Sequence, residues 1–165
     1  MARALLALML AMWAMPVGAQ QIAQIAGSAA VVDSTVIEID GQRVMLFGVD
    51  SVMRKQICTV DGKPWQCWPA AVRDLQTLVY QGPAVCDPVG EPDVYGRVLA
   101  RCAVNGQSLN EELVRRGYAV ARPNETTDYV AAEVEAKQAK RGLWQGQFMR
   151  PSDFRRAVGI FVDRP

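Results

Sequence analysis

Residues 32–53 read VDSTVIEIDGQRVMLFGVDSVM, and the fold is decided by how this stretch pairs with itself. Asp40-Gly41 is a turn signal between two apolar-rich runs. A two-residue hairpin turn of type I′ needs positive φ at both central residues, which Asp and Gly adopt at low cost. Counting outward from the turn pairs Ile39 with Gln42, Glu38 with Arg43, Ile37 with Val44, Val36 with Met45 and Thr35 with Leu46. Glu38 and Arg43 then form an exposed cross-strand ion pair that contributes little. Upstream, residues 22–32 read as a first strand of the same sheet.

Downstream, residues 69–80 predict a helix with Val72, Leu75, Leu78 and Val79 on one face. Residues 83–86 and 97–104 read as two more strands, the second ended by Asn105-Gly106. Ser108 and Glu111 have the spacing of a capping box, and Gly117 stops the short helix they start. A last helix is expected over about 128–140, with Gly142 as its C-terminal cap and Glu133–Lys137 as a surface pair. Trp144 is expected to pack back onto the body; residues 149–165 are set apart as a tail with no assigned structure.

Composition and charge narrow the chemistry. Residues 1–19 read as a signal peptide: Arg3, an uncharged apolar run and the small residues of Pro16-Val17-Gly18-Ala19 precede Gln20. The expected mature chain is exported, periplasmic or secreted, without a membrane span after cleavage. Residues 20–148 are expected to form one domain. The whole chain carries a formal charge of +1, so loss of Arg3 leaves it neutral. Polynucleotide affinity rests largely on Lys and Arg displacing counterions, and a neutral balance gives it no global support. The absence of histidine excludes Ser-His-Asp and Cys-His catalysis and histidine metal ligands. Four cysteines in an exported chain indicate disulfides, with three connectivities open. The favoured one joins Cys58 to Cys67 and Cys86 to Cys102. A zinc site is the runner-up, disfavoured because no C-x-x-C pair is present.

Strands, an inserted helix, further strands and terminal helices indicate a small α+β domain on a closed sheet, with a five-stranded barrel as one option. Residues 32–53 and Asp93-Val94-Tyr95-Gly96-Arg97 are similar to the staphylococcal nuclease (thermonuclease) family, whose members read V-D-G-D-T, R-L-x-G-I-D-x-P-E and D-x-Y-G-R at three sites. The resemblance runs over residues 29–148 and includes Tyr95 to Ala100, Val104 to Asn110, Leu113 to Gly117, and Arg141-Gly142-Leu143-Trp144. It implies the nuclease version of the OB-fold, a five-stranded Greek-key barrel with about three α-helices.

The resemblance also implies roles. In active members two aspartates and a carbonyl bind calcium, a glutamate is the proposed base and two arginines clamp the phosphate. Here Asp50 matches one metal-binding aspartate, Ser51 the carbonyl position and Arg97 one phosphate arginine. Asp33 matches a carboxylate beside the metal. Thr35 replaces the second metal-binding aspartate, Met45 the second arginine and Met53 the glutamate; Ser34, Val36 and Val52 replace glycine, threonine and proline. Read without the family, Met45 and Met53 are apolar filler, Asp33 and Asp50 are hydrogen-bonding turn residues, Arg97 braces a hairpin, and Trp65 and Trp68 pack beside a disulfide. A general base contributes about 10²–10⁴ in rate and a catalytic arginine about 10³–10⁵, so losing both removes most of the acceleration. The expectation is an exported, catalytically impaired nuclease-like protein that needs no cofactor. It would bind another protein, a glycan or, weakly, a nucleic acid. The alternative is an active secreted nuclease dependent on Ca2+.

Overall fold

The computed structural model describes residues 23–160, so the expected signal peptide over residues 1–19 lies outside the described residues. The strands are β1 (Ile25–Gly27), β2 (Ala29–Asp33), β3 (Val36–Ile39), β4 (Gln42–Leu46), β5 (Val49–Asp50), β6 (Cys58–Val60), β7 (Lys63–Trp65), β8 (Ala84–Pro88), β9 (Val98–Val104), β10 (Gln107–Ser108) and β11 (Val120–Ala121). The helices are α1 (Cys67–Val79), α2 (Leu109–Arg115), α3 (Val130–Gln138) and α4 (Pro151–Ala157), with a 3-10 turn over Gly142–Gln145. The fold class is α+β, as expected, with four α-helices among the described residues rather than about three. The additional one is α4, in the segment that carried no assignment; it starts with Pro151, whose fixed φ and missing N–H suit a first helical turn.

The hairpin forms in the counted register, with Val36 opposite Met45 and Ile39 opposite Gln42. Leu46 N–H donates to the Thr35 carbonyl at 3.0 Å, extending the pairing by the expected step. Asp40 and Gly41 both have positive φ, 49° and 78°, which carries the chain through the turn. The main sheet runs β1-β8-β9-β4-β3-β2, with β10 added on β9. Its two ends, β1 and β2, are consecutive pieces of one bent strand separated only by Ser28, so the sheet curls back toward its own start. The β4·β9 pair is parallel and the other pairs in this sheet are antiparallel.

Inside the curl, Ile37, Val44, Leu46, Val49, Ala84 and Ala100 share one buried cluster with Leu75 and Leu78 of α1 and Leu109 and Leu113 of α2. Helix α1 turns Cys67, Ala71, Leu75 and Leu78 inward, spaced at three to four residues, so Val72 lies at the margin and is half-buried. Ser108 Oγ accepts the Glu111 N–H at 3.2 Å and caps α2. Glu111 itself reaches Arg115 at 2.5 Å, so the observed cap is one-sided. Both disulfides form as favoured: Cys58–Cys67 ties β6 to the start of α1, and Cys86–Cys102 joins directly opposed residues of β8 and β9. Two disulfides indicate an oxidising environment. Trp65 and Trp68 pack against a second cluster containing Cys58, Cys67, Val52 and Leu143, as expected of residues beside a disulfide. No helix among the described residues is long and apolar enough to cross a membrane.

Candidate functional site

One cavity of about 280 Å³ collects the residues at the positions to which the family resemblance gives a role in catalysis or metal binding. Asp33, Thr35, Met45, Asp50, Ser51, Met53 and Arg97 all line it. The topology explains the meeting. A bulge between Val31 and Asp33 re-aims the end of β2, and the hairpin then brings Thr35 beside the strand carrying Met45. Parallel pairing sets Met45 opposite Leu99, so Arg97, just before β9, arrives at the same mouth. Strand β5 ends on Asp50, and the chain from Ser51 to Arg54 forms the next wall.

Each charged group in the cavity has defined partners. Asp33 Oδ1 accepts Trp68 Nε1–H at 2.6 Å and Ser34 N–H at 2.7 Å, which pins the bulge to α1. The Arg54 guanidinium stacks over the Trp68 ring, 4.5 Å from its centroid. Arg97 donates from Nε to Asp93 Oδ2 at 2.7 Å, and its guanidinium also lies 5.0 Å from the Tyr95 ring centre. Asp93 accepts the Tyr95 and Arg97 backbone N–H groups with its other oxygen. Burial alone would raise the Asp93 carboxyl's pKa, but these hydrogen bonds together hold it below its ordinary value. Arg97 therefore braces its own hairpin while lining the cavity. Ser51 Oγ donates to the Tyr118 carbonyl at 2.6 Å, and Ser34 Oγ donates to the Val52 carbonyl at 3.0 Å.

Arg155, which the sequence reading did not single out, provides the decisive contact. It reaches into the cavity from α4 and holds Asp50 bidentately, Nη1 to Oδ1 at 2.8 Å and Nη2 to Oδ2 at 2.5 Å. Asp50 Oδ1 also accepts Ser51 N–H at 3.0 Å. The Asp50 side chain is 7% exposed and that of Arg155 is 19% exposed, so the pair is largely withdrawn from water. The hydrogen bond to Asp50 raises the Arg155 pKa above its ordinary value against the opposing effect of burial. Arg122 and Ile160 complete the lining; Arg122 pairs with Glu125 at 2.9 Å, and Glu125 also accepts Gly48 N–H at 3.1 Å. Glu125 is half-buried and bonded across the fold, which ties the loop over residues 122–126 to the strand region around Gly48.

This donor set does not fit calcium. The ion takes six to eight oxygens, with carboxylates balancing its charge. Around Asp50 the cavity offers the Thr35 hydroxyl where a second carboxylate would be needed, and both Asp50 oxygens are engaged by a guanidinium. Among the described residues no group of three Asp, Glu, Cys or His side chains could hold a metal ion.

Comparison with known proteins follows the same outline. The family described as staphylococcal nuclease homologue matches residues 43–146, a span that includes Met45, Asp50, Met53 and Arg97 and stops before Arg155. The succinoglycan biosynthesis protein ExoI of Rhizobium meliloti (strain 1021) is 32% identical over 127 residues, covering 74% of this chain and 66% of its own length. An uncharacterized protein of Bacillus anthracis is 41% identical over 75 residues, covering 41% of this chain and 32% of its own. The chain thus spans less than two thirds of either relative. With the matched segment extending over most of the curled sheet and its first three helices, the chain belongs to the staphylococcal nuclease homologue family.

Proposed function

We propose that this protein is an exported binding module built on a nuclease scaffold whose catalysis has been lost. The observation that carries the reading is the bidentate Arg155–Asp50 pair in the cavity where the resemblance calls for a metal ion. Thr35, Met45 and Met53 line the same cavity in place of a carboxylate, an arginine and a base. Without the metal's polarising charge and without a base to deprotonate water, phosphodiester hydrolysis loses its two main contributions. Two disulfides support an exported protein. The ligand classes to test are a protein, a glycan and a nucleic-acid segment; a relative named for succinoglycan biosynthesis makes succinoglycan the glycan probe.

The alternative, a calcium-dependent secreted nuclease, is favoured by the placement of both Asp50 and Arg97 on one cavity. Incubating the purified protein with single-stranded DNA and RNA, in calcium or in chelator, separates the readings. An Asp50→Ala/Arg97→Ala variant serves as control. We expect no calcium-dependent cleavage; robust cleavage abolished by the double substitution would overturn the binding-module reading.

A further inference from the structure

We infer that the Arg155 guanidinium is a built-in replacement for a divalent cation at Asp50, delivered by the C-terminal segment and held there without metal. The inference rests on the reading of the cavity as a site that no longer catalyses. Asp50 is the reason a cation is needed at all. A carboxylate this far from water is costly unless a positive charge and hydrogen bonds compensate it. A guanidinium satisfies both oxygens at once in one plane, a geometry that lysine cannot reproduce.

The segment that carries Arg155 is secured along its length. Thr59 and Gln147 exchange two backbone hydrogen bonds of 2.9 and 2.8 Å. Gln56 Nε2–H then donates to the Met149 carbonyl at 2.6 Å, Arg150 pairs with Glu133 at 3.3 Å, and Pro151 is buried at the start of α4. One helical turn later Arg155 meets Asp50, and Ile160 beyond the helix lines the same cavity. A calcium ion competing for Asp50 would have to break the bidentate pair that the anchored segment holds in place. It would gain Asp50 in return, the other carboxylate lining the cavity being Asp33, which already accepts hydrogen bonds from Trp68 and Ser34. The balance favours the guanidinium, so a ligand entering the cavity meets a charge distribution independent of calcium.

The test uses the full chain in five forms: wild type, Arg155→Gln, Arg155→Lys, Asp50→Asn and the double variant Arg155→Gln/Asp50→Asn. For wild type we expect the same melting midpoint in chelator and in about 10 mM calcium chloride, because a cation that does not bind the native state cannot stabilise it. Arg155→Gln should lower the midpoint by roughly 5 °C or more, since it strands a buried carboxylate. Asp50→Asn in that background should restore most of the loss. Asp50→Asn alone should speed amide exchange over residues 149–160 by at least about tenfold, reporting release of the segment. Arg155→Lys, which keeps the charge but not the planar fork, should melt between wild type and Arg155→Gln. Two results would overturn the inference: a wild-type midpoint raised by calcium together with faster exchange over residues 149–160, or additive single-variant losses in the double variant. Neither readout depends on nuclease activity, so this outcome and that of the cleavage assay are separable.

Discussion

Glu133 shows how a single side chain can join three elements. Its Oε2 accepts Ala121 N–H of β11 at 2.6 Å, while Oε1 takes Arg150 at 3.3 Å and the Lys137 ammonium one turn along α3. It was expected to be half of a surface pair, yet it is 6% exposed. Burial pushes its pKa up, but the hydrogen bonds from Lys137, Ala121 and Arg150 outweigh that and hold it below the ordinary glutamate value. A depressed folded-state pKa gives stability that is present above the unfolded-state value and lost as pH falls through the folded one. Glu133→Gln should therefore cost about 1–3 kcal/mol at neutral pH, and the gap to wild type should close as urea melts are moved below about pH 4. A gap unchanged across that range would show that charge at Glu133 is not what stabilises the contact. Asn110 is a second such residue. It is fully buried, accepts Cys102 N–H at 2.9 Å and donates to the Phe47 carbonyl at 2.8 Å and the Ala100 carbonyl at 3.2 Å. Asn110→Leu keeps the size but removes all three hydrogen bonds, and of the three backbone groups the Ala100 carbonyl still accepts Phe47 N–H at 2.9 Å. It is expected to destabilise by at least about 2 kcal/mol in the same melts.

At the scale of elements, α2 tests local signals against packing. Its N-cap is the side chain of Ser108, so Ser108→Ala should cost about 1 kcal/mol, measured by urea denaturation. Its end is more demanding. Gly117 has a φ of +78°, and a Cβ there would lie 2.2 Å from the Arg141 carbonyl oxygen. The Gly117 carbonyl in turn accepts Leu143 N–H at 2.8 Å, so the stop of α2 and the turn after α3 are packed backbone to backbone. Gly117→Ala should thus cost more than the cap substitution, by more than about 2 kcal/mol in total, because both backbone strain and collision oppose it. Equal losses for the two variants would show that the contact relaxes freely. The glycine was readable in the sequence as a helix stop; the close approach that makes it hard to replace was not.

For the whole molecule, the two disulfides close short loops in different clusters, one within the second hydrophobic cluster and one in the main sheet. Replacing Cys86 and Cys102 by serine should lower stability by about 3 kcal/mol, checked by chemical denaturation under non-reducing conditions. What the sequence determined by itself lies within short reach along the chain. The Asp40-Gly41 turn set the hairpin register, Ser108 the start of α2, and the placement of Cys86 and Cys102 on neighbouring expected strands favoured one of three connectivities, all interactions between residues a few to sixteen positions apart. The family outline added the convergence of Thr35, Met45, Asp50, Met53 and Arg97, since a shared chain path carries shared positions to one cavity. Only the tertiary structure decided what occupies that cavity. Arg155 and Asp50 are 105 positions apart, and Gly48 and Glu125 are 77 apart. An arginine in a short helix carries no local mark of the carboxylate it will meet, because that choice is made by how the terminal segment packs against Thr59, Gln56 and Glu133.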